Sequence, residues 1–132
     1  MKQTIKISLL AVIAMFAFNT VADAQKWAYQ ADFVEGRACV KDKNGKWGFI
    51  DESGKVIVPC TWRDVKHFKE GLAPVENQDE LYGYVDLNGK LVIPCQWENA
   101  YSFERGVAKV QIKLEDYTRV WKKIDKTGKF IE

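Results

Sequence analysis

The fold of this chain is decided by Lys46-Trp47-Gly48-Phe49-Ile50-Asp51, which returns 35 positions later as Leu81-Tyr82-Gly83-Tyr84-Val85-Asp86. The same period relates four further sets of residues: Trp27, Trp62 and Trp97; Phe33, Phe68 and Phe103; Gly36, Gly71 and Gly106; Val40, Val75 and Val110. A fixed period of this length is typical of tandem units that bury their apolar faces by stacking on one another. With Pro59 and Pro94 closing the first two copies, the period predicts three units, 25–59, 60–94 and 95–132.

Each unit is predicted to contain a three-stranded antiparallel meander, which makes the domain all-β. In the first unit, residues 38–42, 46–51 and 55–58 are rich in Val, Ile, Phe and Trp and are separated by turns that end in Gly. The turn Asp51-Glu52-Ser53-Gly54 has equivalents that begin at Asp86 and Asp125. An Asp in this position can accept hydrogen bonds from the backbone of its own turn, so we expect a structural rather than a catalytic role for these three residues.

The linkers between meanders contain apolar residues that are three positions apart. Trp62, Val65 and Phe68 have this spacing, as do Trp97, Ala100 and Phe103. The spacing predicts a short helical or 3₁₀ turn that ends at Gly71 or Gly106 and packs its aromatic residues into the core. The units are expected to stack as an open β-solenoid, and an incomplete propeller is the alternative.

The third unit is longer than the others, because Asp86 and Asp125 are 39 rather than 35 residues apart. If two of the four added residues enter each strand of the first hairpin, the alternation of faces is kept. In the same unit Lys122 stands where the others have Gly48 and Gly83. We expect Lys122 and Lys123 to form a polar end cap, and Gly48 and Gly83 to face the next unit.

The N-terminal residues 1–24 have the three-part pattern of a secretory signal peptide. Lys2 and Lys6 precede a short apolar run, and Ala22-Asp23-Ala24 predicts cleavage after Ala24. The run is too short for the alternative, a retained membrane anchor, and no later segment could span a bilayer. The repeat domain at 25–132 is therefore expected in the periplasm or outside the cell.

Charge argues against nucleic acid as a partner. The formal net charge of +2 falls to +1 when Lys2, Lys6 and Asp23 are removed. The nearby residues Lys41, Lys43 and Lys46 are interrupted by Asp42 and are expected to belong to a solvated hairpin. Binding to nucleic acid depends on clustered Lys and Arg, which this balance does not provide.

The sequence contains no recognisable catalytic, cofactor or metal site. His67 is the only His and is expected to be a solvated surface side chain, so the usual His and Cys metal clusters are ruled out. Glu35 and Glu70 recur before Gly, but Arg105 replaces them in the third unit, which does not fit a dedicated acid–base pair. We expect no enzyme activity and no cofactor.

Three cysteines occur in a chain that is expected to reach an oxidising compartment. Cys60 and Cys95 are equivalent positions one repeat apart, farther than a disulfide can span, and are expected to be small buried groups. Cys39 has no obvious partner. A disulfide, or an intermolecular bridge through Cys39, is the less favoured alternative.

The repeated strings resemble the WG-repeat family, also called KWG repeats. The resemblance rests on Lys46 to Asp51, Gly54-Lys55, Val58-Pro59 and Glu70-Gly71-Leu72-Ala73. It implies a bacterial repeat protein built of β-hairpins, commonly secreted or membrane-associated, and it brings no catalytic residues. Two functions remain open: an interaction or structural scaffold for a protein partner, and a glycan or cell-wall binding module that uses exposed aromatic residues. An enzyme accessory or inhibitor is a third class with no sign of its own in the sequence.

Overall fold

The computed structural model describes residues 27–132, and the predicted signal peptide lies outside them. The described chain is all-β, with twelve strands in three four-stranded antiparallel sheets. The first sheet consists of β1 (Tyr29–Val34), β2 (Arg37–Lys41), β3 (Trp47–Asp51) and β4 (Val56–Trp62). The second consists of β5 (Asp64–Val65), β6 (Leu72–Glu76), β7 (Tyr82–Asp86) and β8 (Leu91–Trp97). The third consists of β9 (Asn99–Ala100), β10 (Ala108–Lys113), β11 (Arg119–Ile124) and β12 (Phe130–Ile131).

The predicted helical linker was wrong, because the linker forms the first strand of the next sheet. Val65 pairs with Val75, and a further bridge joins Lys69 to Leu72. Between these two pairs the linker has three residues, 66–68, whereas the partner strand has only two, 73–74. The extra residue makes a one-residue bulge in the linker. The bulge puts Val65 and Phe68 on the same buried side although they are three apart. A spacing that is typical of a helical turn therefore has its origin in an irregular strand, and each meander has four strands rather than three.

A pair of residues that ends in Gly forms a tight hairpin turn after each linker strand; the pair is Glu-Gly in the first two sheets and Arg105-Gly106 in the third. Glu35 and Gly36 have φ angles of 51° and 75°, and the residues on either side of them, Val34 and Arg37, pair directly. Two consecutive residues with positive φ define the type I′ turn, whose twist matches that of the flanking strands. This turn forces the linker to run back along the next strand, which is the physical reason that no helix forms there.

Apolar side chains join each sheet to the next. The first junction packs Cys39, Phe49 and Val58 of the first sheet against Val65, Ala73, Val75 and Val85 of the second. The second junction packs Tyr82, Tyr84 and Ile93 of the second sheet against Ala100, Ala108, Val110 and Ile124 of the third. Both faces of β6 and β7 in the second sheet are therefore buried. Each junction also contains a phenylalanine from the linker, Phe68 or Phe103, in an edge-on contact with an aromatic ring of the preceding sheet.

The lengthening of the third unit was predicted correctly. Gln111 pairs with Trp121, as Lys41 pairs with Trp47 in the first sheet, and the ladder then continues through two further pairs, Ile112 with Val120 and Lys113 with Arg119. Two residues have thus been added to each strand, and the side chains before the addition keep their faces.

Gly48 and Gly83 have a different neighbour from the one predicted. A Cβ atom at Gly48 would lie 2.3 Å from the carbonyl oxygen of Val58, in β4 of the same sheet, and one at Gly83 would lie 2.5 Å from that of Ile93 in β8. The expectation that these glycines face the next unit was therefore wrong. They allow the Pro-containing strand to cross the backbone closely. β12 pairs only with Lys123 and Ile124, so it does not reach Lys122, and that side chain is exposed.

Candidate functional site

The three turn aspartates bind their own backbone, as predicted. The carboxylate of Asp51 accepts hydrogen bonds from the Ser53 amide at 2.9 Å, the Ser53 hydroxyl at 2.6 Å and the Lys55 amide at 3.0 Å. Asp86 and Asp125 accept the same two amide bonds in their turns. The Ser53 hydroxyl lowers the pKa of Asp51, and the Thr127 hydroxyl does so for Asp125. These carboxylates are engaged in forming the hairpins.

Glutamates at the type I′ turns link consecutive units. The carboxylate of Glu35 accepts hydrogen bonds from the amides of Glu70 and Gly71, at 2.8 and 2.9 Å. The carboxylate of Glu70 in turn binds the amides of Arg105 and Gly106. Two consecutive amides in residues with positive φ form a concave site for an anion, and here the preceding unit supplies it. We call this chain of contacts the glutamate ladder. Its signal in the sequence was the 35-residue recurrence of Glu before Gly, which indicated no role until the turns were seen together.

The histidine and the three cysteines do not form a reactive cluster in the described residues. His67 is exposed, as predicted, and its Nδ1 lies 3.7 Å from Sγ of Cys39. Cys39 is buried, which raises the pKa of its thiol to about 11. Cys60 and Cys95 are half-buried, each with Sγ directed at a backbone carbonyl 3.9 Å away. No disulfide joins the three cysteines.

Within residues 27–132 no group of three or more His, Cys, Asp and Glu side chains could hold a metal ion. In the same range no helix is long and apolar enough to cross a membrane.

Most of the repeated aromatic residues belong to the core. Tyr82 and Trp97 are only 8% and 2% exposed, and Trp47 and Trp62 are half-buried. The aromatic row that would have supported sugar binding is therefore largely used for packing. Exposed aromatic side chains occur elsewhere, and two of them, Tyr101 and Trp121, are 49% and 43% exposed on the third sheet.

The outward side of the third sheet is the candidate functional site. We call it the end face and define it by Tyr101, Lys109, Trp121 and Lys123. Lys109 and Lys123 are a directly opposed pair on β10 and β11, equivalent to Cys39 with Phe49 in the first sheet and Pro74 with Tyr84 in the second. Those earlier pairs are buried, whereas Lys109 and Lys123 are exposed. The end face of the third sheet is thus equivalent to the side of the first and second sheets that packs against the next unit.

An aromatic pair lies beside the two lysines. The rings of Tyr101 and Trp121 stack with their centroids 4.8 Å apart and their planes inclined by 27°. Nζ of Lys66 lies 5.2 Å from the Tyr101 ring centroid, so the tyrosine contacts both an ammonium group and the tryptophan. Burial lowers the pKa of Lys66, and its Nζ donates to the carbonyl of Ala100 at 2.6 Å. These contacts fix Tyr101 and leave the indole of Trp121 to face outward.

Two adjoining cavities border the lysine pair. One of about 270 Å³ is lined by Tyr101, Lys109, Trp121, Lys122 and Lys123. The other, of about 430 Å³, shares Tyr101, Lys109 and Lys123 and extends to Glu104 and Arg105. Together they form a cleft that is rich in positive charge and has an aromatic wall, which suits an anionic ligand with an apolar part.

The sequence pointed to part of this site. Lys122 and Lys123 were predicted to cap the array, and both are exposed. Tyr101, Lys109 and Trp121 were not singled out. The available signal was that Lys109 and Lys123 replace apolar residues at two equivalent positions, and it could be interpreted only once those positions were known to be opposite each other at a junction.

Comparison with known proteins assigns the chain to a family. A family model described as the WG containing repeat matches residues 31–47, 47–80 and 82–113, which is more than half of the chain. The protein therefore belongs to the WG-repeat family. No curated protein and no solved structure matches the chain significantly.

Proposed function

We propose that this WG-repeat protein is an exported, non-catalytic scaffold that binds a protein partner through its end face. In this proposal, cleavage after Ala24 releases the repeats into the periplasm or the extracellular space. The three sheets form an open, solenoid-like array, an arrangement that the two successive junctions on opposite faces of the second sheet support. The observation that carries the proposal is the exposure of Lys109, Trp121 and Lys123 on the side that receives the next unit elsewhere.

The engagement of the carboxylates supports the non-catalytic part of the proposal. Asp51, Asp86 and Asp125 bind the amides of their own turns, and Glu35 and Glu70 bind those of the following unit. Hydrogen bonds from the surrounding groups lower the pKa values of Asp51, Glu70 and Asp125, so these carboxylates are weak bases. The conserved geometry of these contacts from unit to unit is that of a repeated structural element.

A second candidate function is glycan binding, which the exposed pair of Tyr101 and Trp121 favours. The outward side of the Trp121 indole is available, and a sugar ring could stack on it beside the lysines. This platform differs from the one expected from the sequence, because it consists of one stacked pair on the last sheet rather than a row along the repeats.

Site-specific photocrosslinking separates the two functions. A photoreactive residue at Gln111, which pairs with Trp121 on the end face, is compared with one at Tyr117, which is 75% exposed in a turn of the same hairpin. With envelope or secreted fractions of the producing organism, we expect a discrete protein adduct from position 111 and none from position 117. The adduct should disappear in Trp121→Ala.

The opposite result would reject the protein-scaffold proposal. Absence of an adduct at position 111, together with Trp121-dependent binding on a polysaccharide array, would assign the end face to glycans. A Tyr117→Ala protein serves as the matched aromatic control on the array.

A further inference from the structure

Lys109 and Lys123 form a pair of like charges that the described part of the chain leaves uncompensated. They face each other across β10 and β11, and none of the ion pairs within residues 27–132 includes either of them. Like charges at directly opposed positions repel and destabilise a sheet. An anion between the two ammonium groups would remove this repulsion.

The same sheet contains a second pair of cations that does have an anion. Lys113 and Arg119 face each other across β10 and β11, two residue pairs closer to the hairpin turn than Gln111 and Trp121. The carboxylate of Glu98 lies 4.0 Å from Nζ of Lys113 and 3.6 Å from Nη2 of Arg119. Within residues 27–132 the protein thus places a carboxylate on one opposed pair of cations and none on the other, which indicates that a carboxylate is the chemistry the second pair would bind.

The two internal junctions indicate the conformation of that ligand. On the second sheet, the extended linker of the next unit lies over the equivalent positions, where the hydroxyl of Tyr84 donates to the carbonyl of Tyr101 at 2.6 Å. On the first sheet, Val65 of the next linker packs with Cys39 and Phe49. In both cases an extended stretch of polypeptide lies against these positions.

We propose that the end face binds an extended acidic segment of the partner protein, with a carboxylate between Lys109 and Lys123 and an apolar side chain against Trp121. This inference rests on the proposed scaffold function and specifies the chemistry of its partner. The segment takes the place that the linkers of the second and third units take on the preceding sheets.

The test uses a capped poly-glutamate peptide as the probe, titrated into the mature protein at low ionic strength. We expect binding that weakens as salt is added and falls about tenfold, equivalent to roughly 1.4 kcal/mol, in Lys109→Gln/Lys123→Gln. Lys90→Gln, an exposed turn lysine of the second sheet, should bind like the wild type. Glu98→Gln should bind the peptide more tightly, because Lys113 and Arg119 lose their carboxylate partner and become available to the peptide. If the lysines of the end face only cap the array and bind no ligand, the substitution should change nothing.

Four results would overturn the inference. Unchanged affinity in the double lysine variant would show that the pair is not the site. Tighter binding of a polyuronate than of poly-glutamate would assign the cleft to an acidic glycan. A dimer in sedimentation analysis that the double variant abolishes would make a second copy of the chain the occupant. If the Gln111 crosslink to a protein persists in the double variant, the acidic segment is rejected while the scaffold function stands.

Discussion

The carboxylate of Glu35 accepts a hydrogen bond from the backbone amide of Glu70 at 2.8 Å and so connects two type I′ turns that are one repeat apart. Glu70 repeats the contact on Arg105 and Gly106, with Nζ of Lys126 3.3 Å from its carboxylate. Each junction therefore has a polar connection at the hairpin turns in addition to its apolar core. Charge-assisted hydrogen bonds to backbone amides are stronger than neutral ones.

Loss of one glutamate of the ladder should destabilise the protein. We expect Glu70→Gln to lower the melting temperature by several degrees, because the amide oxygen replaces a charged acceptor that binds two N–H groups and Lys126. Glu115→Gln, which changes the same charge in the exposed turn of the third sheet, should leave the melting temperature near that of the wild type. Equal effects in calorimetry would mean that net charge, and not the ladder, is responsible.

Acid should weaken the fold through the same carboxylates. The amide of Gly106 is the main cause that lowers the pKa of Glu70 from 4.5, and hydroxyl groups lower the pKa values of Asp51 and Asp125 from 3.8. A carboxylate whose folded pKa is below its unfolded value stabilises the fold fully above the unfolded value and loses this effect as pH falls through the folded one. Stability should therefore be flat from neutral pH down to about 5 and decline below about 4.5. Urea unfolding at a series of pH values measures this, and a Glu70→Gln protein should show a shallower decline.

Gly48 and Gly83 should not tolerate a side chain. A Cβ would lie within 2.5 Å of the backbone in the neighbouring strand at either position, and backbone atoms cannot move aside as a side chain can. We expect Gly48→Ala and Gly83→Ala each to reduce the free energy of unfolding by about 1–3 kcal/mol. Lys122→Ala is the matched control at the equivalent position of the third sheet, which β12 does not cross. Its free energy of unfolding, measured by urea denaturation, should be close to that of the wild type. A loss as large in the control would contradict the crossing-strand explanation.

The three thiols should differ in reactivity. Denaturation without a reductant should expose three titratable thiols, and a lower count would mean that a disulfide forms. In the folded protein Cys39 should react with a thiol reagent far more slowly than the half-buried Cys95, because Cys39 is 3% exposed and its pKa is raised to about 11, so little thiolate is present at neutral pH. Peptide mapping after partial modification identifies the order. Fast labelling of Cys39 would indicate that the first junction opens.

The sequence predicted the parts of the fold that depend on local chemistry and periodicity. The Gly-ended turns, the turn aspartates and the lengthened hairpin of the third unit were all expected, because each depends on residues close together in the chain. The linker was misinterpreted because Val65 and Phe68 have a spacing that both a helical turn and a bulged strand produce. Only the pairing of Val65 with Val75, ten residues away, distinguishes the two. The candidate site was predicted even less, since Tyr101, Lys109 and Trp121 meet through pairing between strands and not through a motif.

The period of 35 residues by itself determined that this protein is an array of similar β units, because each copy carries the strands and turns that it needs. The tertiary structure decided which side of each sheet receives the next unit and therefore what the last sheet exposes. Lys109 and Lys123 are ordinary lysines in the sequence. They become a candidate site because strand pairing places them opposite each other on a face that, in the two preceding sheets, packs against the following unit.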